Sequence, residues 1–199
     1  MSKTVEFFFD FGSPASYLAW TQLPDLCARH GAELRFRPML LGGIFQATGN
    51  ASPISVPAKG RYTLIDFQRF ARRYGVAFTL NPNFPINTLT LMRGACAYQL
   101  RAPGQFETYV KAIFEALWTQ QRNLADPAVV AETLTEAGLD AQAFAAWVAE
   151  DEVKAALKAA TEEAVQRCVF GAPTCFVGGE MFFGQDRLDF VDEALAQAD

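Results

Sequence analysis

Residues 5–18 read VEFFFDFGSPASYL and join an apolar run to the start of a helix. The run from Val5 to Asp10 is apolar and aromatic, which predicts a buried strand. Ser13 is a residue type that caps helices, and Pro14 suits the first helical position. We therefore predict a helix from about Pro14 to Arg29.

A second strand is predicted from Glu33 to Arg37, where Leu34 and Phe36 alternate with charged residues. A strand, a helix and a strand so close in sequence imply a right-handed βαβ unit with parallel strands. Residues 41–57 are rich in glycine, proline and serine, so we predict a loop there.

The middle of the chain carries apolar residues at helical spacing, which predicts a series of helices with core-forming faces. The first of these helices is expected to end at Gly75. Three more are expected from Asn87 or Thr88 to Leu100, over residues 106–117, and from Asp126 to Gly138. One or two further helices are expected between Asp140 and about Cys168.

The end of the chain returns to a strand pattern. Thr174 to Val177 and Glu180 to Phe183 predict two strands, and Gly178-Gly179 suits a tight hairpin between them. Asp186 is predicted to cap a last helix that extends to about Ala196.

Strands near both ends of the chain, with helices between them, indicate the α/β class. We predict a thioredoxin-like domain that is interrupted by an all-helical inserted domain. The thioredoxin-like domain would be discontinuous, formed by residues 1–45 and 169–199, and the helical insertion would span residues 46–168.

Composition narrows the classes of function. The 199 residues carry a net charge of −5, so we expect no binding to nucleic acid and none to an anionic membrane. The first residues lack a signal-peptide pattern, and no apolar segment is long enough to span a bilayer. We therefore expect a cytoplasmic protein.

Cysteine and histidine usage argues against metal binding. No two of the cysteines Cys27, Cys96, Cys168 and Cys175 form a Cys-x-x-Cys pair. We expect all four to be reduced and buried. His30 is the single histidine, which excludes a multi-histidine metal centre and argues against a Ser-His-Asp hydrolase. We predict no metal site.

The chemistry is expected at the start of the first helix. Helix N-termini that follow a strand offer unpaired N–H groups, which favour an anion such as a thiolate. Ser13 stands where thioredoxin-like redox proteins have their attacking cysteine, and Ser16 stands where the resolving cysteine would be. Hydroxyls in place of these two thiols cannot carry out disulfide exchange, but the hydroxyl of Ser13 is still a hydrogen-bond donor for a sulfur atom held in the cleft. The alternative is that Ser13 is only a helix cap.

The second informative region is VFGAPT, residues 169–174, together with FFGQDRL, residues 182–188. A proline at position 173 belongs at the first residue of a strand or at a sheet edge. If the Ala172–Pro173 bond is cis, the backbone of Ala172 is free to pair with a peptide; a trans strand start is the alternative. Asp186 is expected to pair with a substrate ammonium, to cap the helix, or to do both.

Together these segments resemble the glutathione-dependent 2-hydroxychromene-2-carboxylate isomerases. That family belongs with the kappa-class glutathione transferases and, more distantly, with the bacterial disulfide-oxidase (DsbA) family. The resemblance runs nearly end to end and rests on six segments, none of them decisive alone: residues 9–14 (FDFGSP), 40–43 (LLGG), 48–50 (TGN), 56–59 (VPAK), 170–174 (FGAPT) and 183–187 (FGQDR).

The resemblance implies a thioredoxin domain with a helical insertion, bound glutathione as cofactor, and a homodimer. It places the catalytic role on Ser13. Many relatives carry a lysine at the position of Gln46, near the substrate, so the neutral side chain here bears on binding of an aromatic carboxylate. Glutathione contacts are implied for Ser13 and for six further residues: Asn50, Lys59, Ala172, Pro173, Gln185 and Asp186.

The activity that the resemblance implies is cis–trans isomerisation of 2-hydroxychromene-2-carboxylate-like aromatic catabolites to hydroxybenzylidenepyruvate, through reversible addition of the glutathione thiolate. A kappa-like glutathione transferase or peroxidase depends on the same residues and is the alternative. A peptide-binding module without catalysis is a further alternative, because the proline loop can dock an extended chain. The natural substrate is left open.

Overall fold

A computed structural model describes residues 3–198. Its four strands form one mixed sheet in the order β2-β1-β3-β4, in which β1 pairs parallel with β2 and antiparallel with β3. The strands are β1 (Thr4–Phe9), β2 (Glu33–Pro38), β3 (Thr174–Val177) and β4 (Glu180–Phe183).

Ten α-helices surround the sheet within the described residues, seven of them between β2 and β3. They are α1 (Pro14–Trp20), α2 (Leu23–Arg29), α3 (Leu41–Thr48), α4 (Pro57–Tyr74), α5 (Leu89–Arg101), α6 (Phe106–Trp118), α7 (Pro127–Glu136), α8 (Ala141–Trp147), α9 (Asp151–Gln166) and α10 (Leu188–Gln197).

Strand β1 contacts an apolar cluster on each face, as successive side chains of a strand point to opposite sides. Val5, Phe7 and Phe9 belong to a large core that also contains side chains from α5 and α6. Phe8 lies on the other face, in a smaller cluster with Ile44 of α3. The α/β class, the four strands and the interrupted thioredoxin-like arrangement are thereby confirmed. The domain limits at residues 45/46 and 168/169 stay a prediction.

The single helix predicted from Pro14 to Arg29 is wrong, because the chain forms α1 and α2 with a break at Thr21 and Gln22. Pro24 lies in the first turn of α2. A proline there has no N–H to donate and its ring crowds the carbonyl four residues earlier, so the regular helical hydrogen bonding is interrupted at this point.

The loop predicted over residues 41–57 is also partly wrong, because its first half is helix α3. The backbone N–H of Leu41 donates to the Asp10 carboxylate at 2.8 Å, which satisfies one of the N–H groups left unpaired at a helix start. Ile44 is fully buried, and Gly49 ends the helix with a φ of 70°. Both stabilising contacts come from distant parts of the chain.

The helices predicted in the middle of the chain are confirmed. Helix α4 ends at Gly75, which has a φ of 67°, and α5 extends to Arg101. The Asp126 carboxylate caps α7 by accepting from the N–H of Ala128 at 2.9 Å. Asp140 caps α8 in the same way, and α9 follows it as a separate helix.

Two local predictions fail near the end of the chain. Asp186 does not cap the last helix, because α10 begins at Leu188 after a 3₁₀ turn, and its carboxylate pairs with Arg187. Cys168 is exposed, whereas Cys27, Cys96 and Cys175 are buried as expected, and all four are free thiols. No helix within residues 3–198 is both long enough and apolar enough to cross a bilayer.

Candidate functional site

Ser13 lies at the junction of β1 and α1 and makes two hydrogen bonds through its side chain. Its backbone is extended (φ −97°, ψ 111°), as the N-cap position requires. The Oγ atom accepts from the N–H of Ser16 at 3.1 Å and donates to the Ala172 carbonyl at 2.9 Å. Ser13 is therefore a helix cap and also the link between α1 and the proline loop.

Asp10 holds the loop that carries Ser13, a role that the sequence reasoning missed. Its carboxylate is almost fully buried and accepts from the N–H groups of Gly12 and Leu41, each at 2.8 Å. Its backbone carbonyl accepts from the N–H of Ser13 at 3.0 Å. Burial raises the pKa of Asp10, while the two backbone N–H groups oppose that rise. The available signal was a carboxylate at the end of an apolar strand.

The proline loop faces Ser13 and has a defined shape. The Ala172–Pro173 peptide bond is cis, which is the first of the two alternatives that the sequence left open. The Pro173 carbonyl accepts from the N–H of Gly184 at 3.0 Å, and the Thr174 hydroxyl donates to the Gly171 carbonyl at 2.9 Å. The loop therefore places the Ala172 backbone beside the Ser13 hydroxyl.

Asn50 and Lys59 come from the opposite, helical side. The Asn50 side-chain amide donates to the Phe170 carbonyl at 2.8 Å, so it bridges the end of α3 to the proline loop. Lys59 lies in the first turn of α4 and is exposed. Among the described residues, no carboxylate lies within ion-pair distance of Lys59, so its charge is available to a ligand.

Gln185 and Asp186 lie on the 3₁₀ turn that follows β4. Gln185 is only 6% exposed, and its side-chain amide has no hydrogen-bond partner within the part of the chain that the structure describes. Its backbone carbonyl accepts from the Tyr74 hydroxyl at 2.6 Å. Gly184 precedes the turn with a φ of 100°, and an added Cβ would lie 2.3 Å from the Asp186 carboxylate, so only glycine fits there.

One cleft of about 1010 Å³ collects these groups. Its lining includes all seven residues singled out from the sequence: Ser13, Asn50, Lys59, Ala172, Pro173, Gln185 and Asp186. The structure thus brings the seven together, and their individual roles stay predictions.

Aromatic side chains form much of the remaining lining, and their contribution was not predicted. Phe45, Phe67 and Phe84 line the cleft from the helical side. Phe170 and Phe183 line the other side with their ring centroids 4.6 Å apart, and both are more than a third exposed. The cleft therefore offers rings to a flat apolar ligand next to the polar groups around Ser13.

Gln46, where many relatives carry a lysine, does not line this cleft. Gln46 lines a separate groove together with Arg93 and Lys158, whereas its neighbour Phe45 lines the cleft. Successive residues of a helix point about 100° apart, so adjacent positions of α3 face different surfaces.

A family model described as "DSBA-like thioredoxin domain" matches residues 4–196. The chain belongs to the DsbA-like thioredoxin family. A protein named 2-hydroxychromene-2-carboxylate isomerase, from Sphingobium xenophagum, is 34% identical over 197 residues, which cover 98% of this chain and 99% of that protein. A protein of Homo sapiens named glutathione S-transferase kappa 1 is 27% identical over an alignment 209 residues long, which covers 99% of this chain and 92% of that protein.

The solved structures agree with this family. A structure described as a selenomethionine 2-hydroxychromene-2-carboxylate isomerase superposes with a TM-score of 0.87 at 31% identity, covering 98% of this chain and 95% of the other. Proteins of that name therefore match nearly the full length of this chain, both in sequence and in structure.

The site's chemistry follows from the residues present. Serines at positions 13 and 16 provide no thiol for disulfide exchange at the start of α1. Within residues 3–198, no group of three or more His, Cys, Asp or Glu side chains is placed to hold a metal ion. A thiol cofactor such as glutathione fits, since the cleft holds the Ser13 hydroxyl, the unpaired Gln185 amide and the free Lys59 ammonium.

Proposed function

We propose that this protein is a glutathione-dependent cis–trans isomerase of aromatic 2-hydroxychromene-2-carboxylate-like compounds, with hydroxybenzylidenepyruvate as product. The observation that carries the proposal is the position of Ser13 Oγ, which lies in the cleft, at the start of α1 and 2.9 Å from the Ala172 carbonyl. A relative that is 34% identical and carries the isomerase name supports the substrate class.

Polar groups of the cleft support glutathione as the cofactor. A tripeptide with two carboxylates needs a cation and amide partners. Lys59 supplies the cation and the Gln185 side chain supplies unpaired amide groups. The substrate ring would first open, as the C–O bond of its hemiketal breaks and the proton of the hemiketal hydroxyl passes to the phenol oxygen. Bound glutathione would then supply a thiolate nucleophile that adds to a conjugated carbon of the opened enone, allows rotation about the former double bond, and leaves again.

Ser13 is proposed to stabilise the anionic sulfur. Its single hydroxyl proton donates to the Ala172 carbonyl, and rotation about the C–O bond redirects it to a sulfur in the cleft. The Ser16 N–H keeps the oxygen in place at 3.1 Å. Exchange of a neutral hydrogen bond for a charge-assisted one yields roughly 1–2 kcal/mol, which lowers a thiol pKa by about one unit. The start of α1 adds up to ~1 kcal/mol.

The aromatic lining supports an aromatic second substrate. Phe45 and Phe67 on one side, and the Phe170–Phe183 pair on the other, enclose a space next to the predicted sulfur position. An offset-stacked ring gains ~0.5–1.5 kcal/mol beyond its buried area. These rings would orient the conjugated bond of the substrate toward Ser13.

The second candidate is a kappa-like glutathione transferase or peroxidase. It is favoured by the relative named glutathione S-transferase kappa 1 at 27% identity. The two activities differ in their use of glutathione, because an isomerase regenerates the thiol while a transferase or a peroxidase consumes it.

We also propose a cytoplasmic homodimer, for which exposed apolar side chains such as Ile65 and Phe190 offer contact surface.

The deciding experiment is an assay on 2-hydroxychromene-2-carboxylate with and without glutathione. We expect turnover that requires glutathione and leaves its concentration unchanged, and loss of most turnover in Ser13→Ala. The Ser16→Ala variant is the matched control and should keep wild-type rates, because Ser16 does not line the cleft. Turnover without glutathione would refute the proposal, whereas consumption of glutathione would favour the transferase.

A further inference from the structure

Helix α4 spans the distance between two parts of the cleft. It has 18 residues, with Lys59 in its first turn and Tyr74 at its last position. At about 1.5 Å per residue, these two residues lie about 22 Å apart along the helix axis. The first turn lines the cleft, while Tyr74 contacts the turn that carries Gln185 on the thioredoxin-like side.

We infer that Tyr74 is a positioning residue for ligand binding, because its hydroxyl ties the last turn of α4 to the Gln185 carbonyl and thereby holds the Gln185 amide in the cleft. The hydrogen bond is 2.6 Å long. As far as the ligand is concerned, the inference rests on glutathione binding as proposed above.

The turn that carries Gln185 packs against α1 and α10, but few hydrogen bonds tie it to the rest of the described chain. The Gly184 N–H donates to the Pro173 carbonyl at 3.0 Å on one side, and Asp186 pairs only with its neighbour Arg187. The Gln185 side chain makes no hydrogen bond to any residue that the structure describes. Among the described residues, the Tyr74 hydroxyl is therefore the group from outside the turn that hydrogen-bonds to the Gln185 backbone.

The donor is suited to this role over the whole physiological pH range. Burial, together with the nearby negative charge of Asp189, raises the pKa of Tyr74 to about 12. The hydroxyl thus keeps its proton, and the ring packs on Phe70 with the centroids 5.6 Å apart. Removal of the oxygen alone, in Tyr74→Phe, leaves this packing in place.

Tyr17 provides a matched control within the same chain. Its hydroxyl also donates at 2.6 Å to a backbone carbonyl, that of Ala77, and burial raises its pKa to about 12 as well. Ala77 does not line the cleft. Tyr74→Phe and Tyr17→Phe therefore each delete one equivalent hydrogen bond, and only the first touches a cleft residue.

The test compares glutathione affinity and local hydrogen exchange in the two variants. We expect Tyr74→Phe to raise the Kd for glutathione roughly three- to tenfold, the range for one lost hydrogen bond. Tyr17→Phe should stay within about twofold of wild type. In a Gln185→Ala background, Tyr74→Phe should have a much smaller effect, because the side chain that it positions is gone.

Amide hydrogen exchange separates this inference from the proposed function, because it needs no ligand. Residues 184–187 should exchange faster in Tyr74→Phe than in wild type, and at the wild-type rate in Tyr17→Phe. Unchanged exchange in Tyr74→Phe, or an affinity loss that persists fully in Gln185→Ala, would overturn the inference. Failure of the wild-type protein to bind glutathione, with the exchange difference present, would instead remove only the proposed ligand.

Discussion

Ser16→Ala should stabilise the protein, although Ser16 lies only three residues from Ser13. Ser16 is fully buried, and its Oγ has no hydrogen-bond partner within residues 3–198. A buried hydroxyl without a partner costs ~1–3 kcal/mol, and alanine also has the higher helix propensity by a few tenths. The small void that the missing oxygen leaves reduces this gain in unfolding free energy by up to ~1 kcal/mol. The expected net gain in unfolding free energy is about 1–2 kcal/mol.

Thermal denaturation followed by circular dichroism measures this gain. For a chain of this length, the Tm should rise by roughly 2–8 °C. Ser13→Ala should move in the opposite direction by about 1–2 kcal/mol, because it removes the acceptor for the Ser16 N–H and the donor to Ala172. A Tm of Ser16→Ala clearly below wild type would refute the reasoning, since it would show that the hydroxyl makes a stabilising bond.

Three further predictions concern packing, thiol reactivity and pH. Gly171→Ala should destabilise the protein by about 1 kcal/mol, because the new Cβ would lie 2.7 Å from the edge of the Phe183 ring, which is 41% exposed and has room to shift; added Phe183→Ala should recover part of that loss in denaturant unfolding. A thiol reagent should label one cysteine, Cys168, in the native protein and four after denaturation, because the other three are buried. Burial also raises the pKa of Cys27 to about 11 and of Cys96 to about 12. Two fast-reacting thiols in the native protein would contradict this prediction. A hydrogen bond and ion pair with Arg167 lower the pKa of Glu6, so the pair stabilises the fold above the ordinary glutamate pKa and this contribution is lost as pH falls through the lowered value. Arg167→Met should therefore cost about 1 kcal/mol or less at pH 7, given solvent screening. In acid the cost should fall to the part that comes from the contacts of the Arg167 guanidinium with the Phe8 and Phe176 rings; an equal cost at both pH values would refute the assignment.

Much of the fold could be predicted because its signals are local. The apolar run of β1, the hairpin glycines between β3 and β4, and the cap-and-proline pairs at Ser13 and Asp126 depend on a few adjacent residues. The break between α1 and α2 also had a local signal, Pro24, but the apolar spacing continues through it. Helix α3 had none, because Asp10 and the cluster around Ile44 stabilise a glycine-rich segment from distant positions.

The same distinction applies to the candidate site. Motif segments located seven residues that the structure brings to one cleft. Because adjacent side chains of a helix point in different directions, Phe45 lines that cleft and Gln46 does not. Tyr74 and Asp10 act through contacts to residues 111 and 31 positions away in sequence, and no pattern in the sequence reports such a pairing.

Titration of bound glutathione by ultraviolet thiolate absorbance tests the central claim most directly, namely that the Ser13 hydroxyl favours the ionised sulfur. A free thiol titrates near a pKa of ~8.5. We expect the bound thiol to titrate about one to two units lower in the wild-type protein, and about one unit higher in Ser13→Ala than in wild type. Equal pKa values in the two proteins, measured at saturating glutathione, would contradict the account.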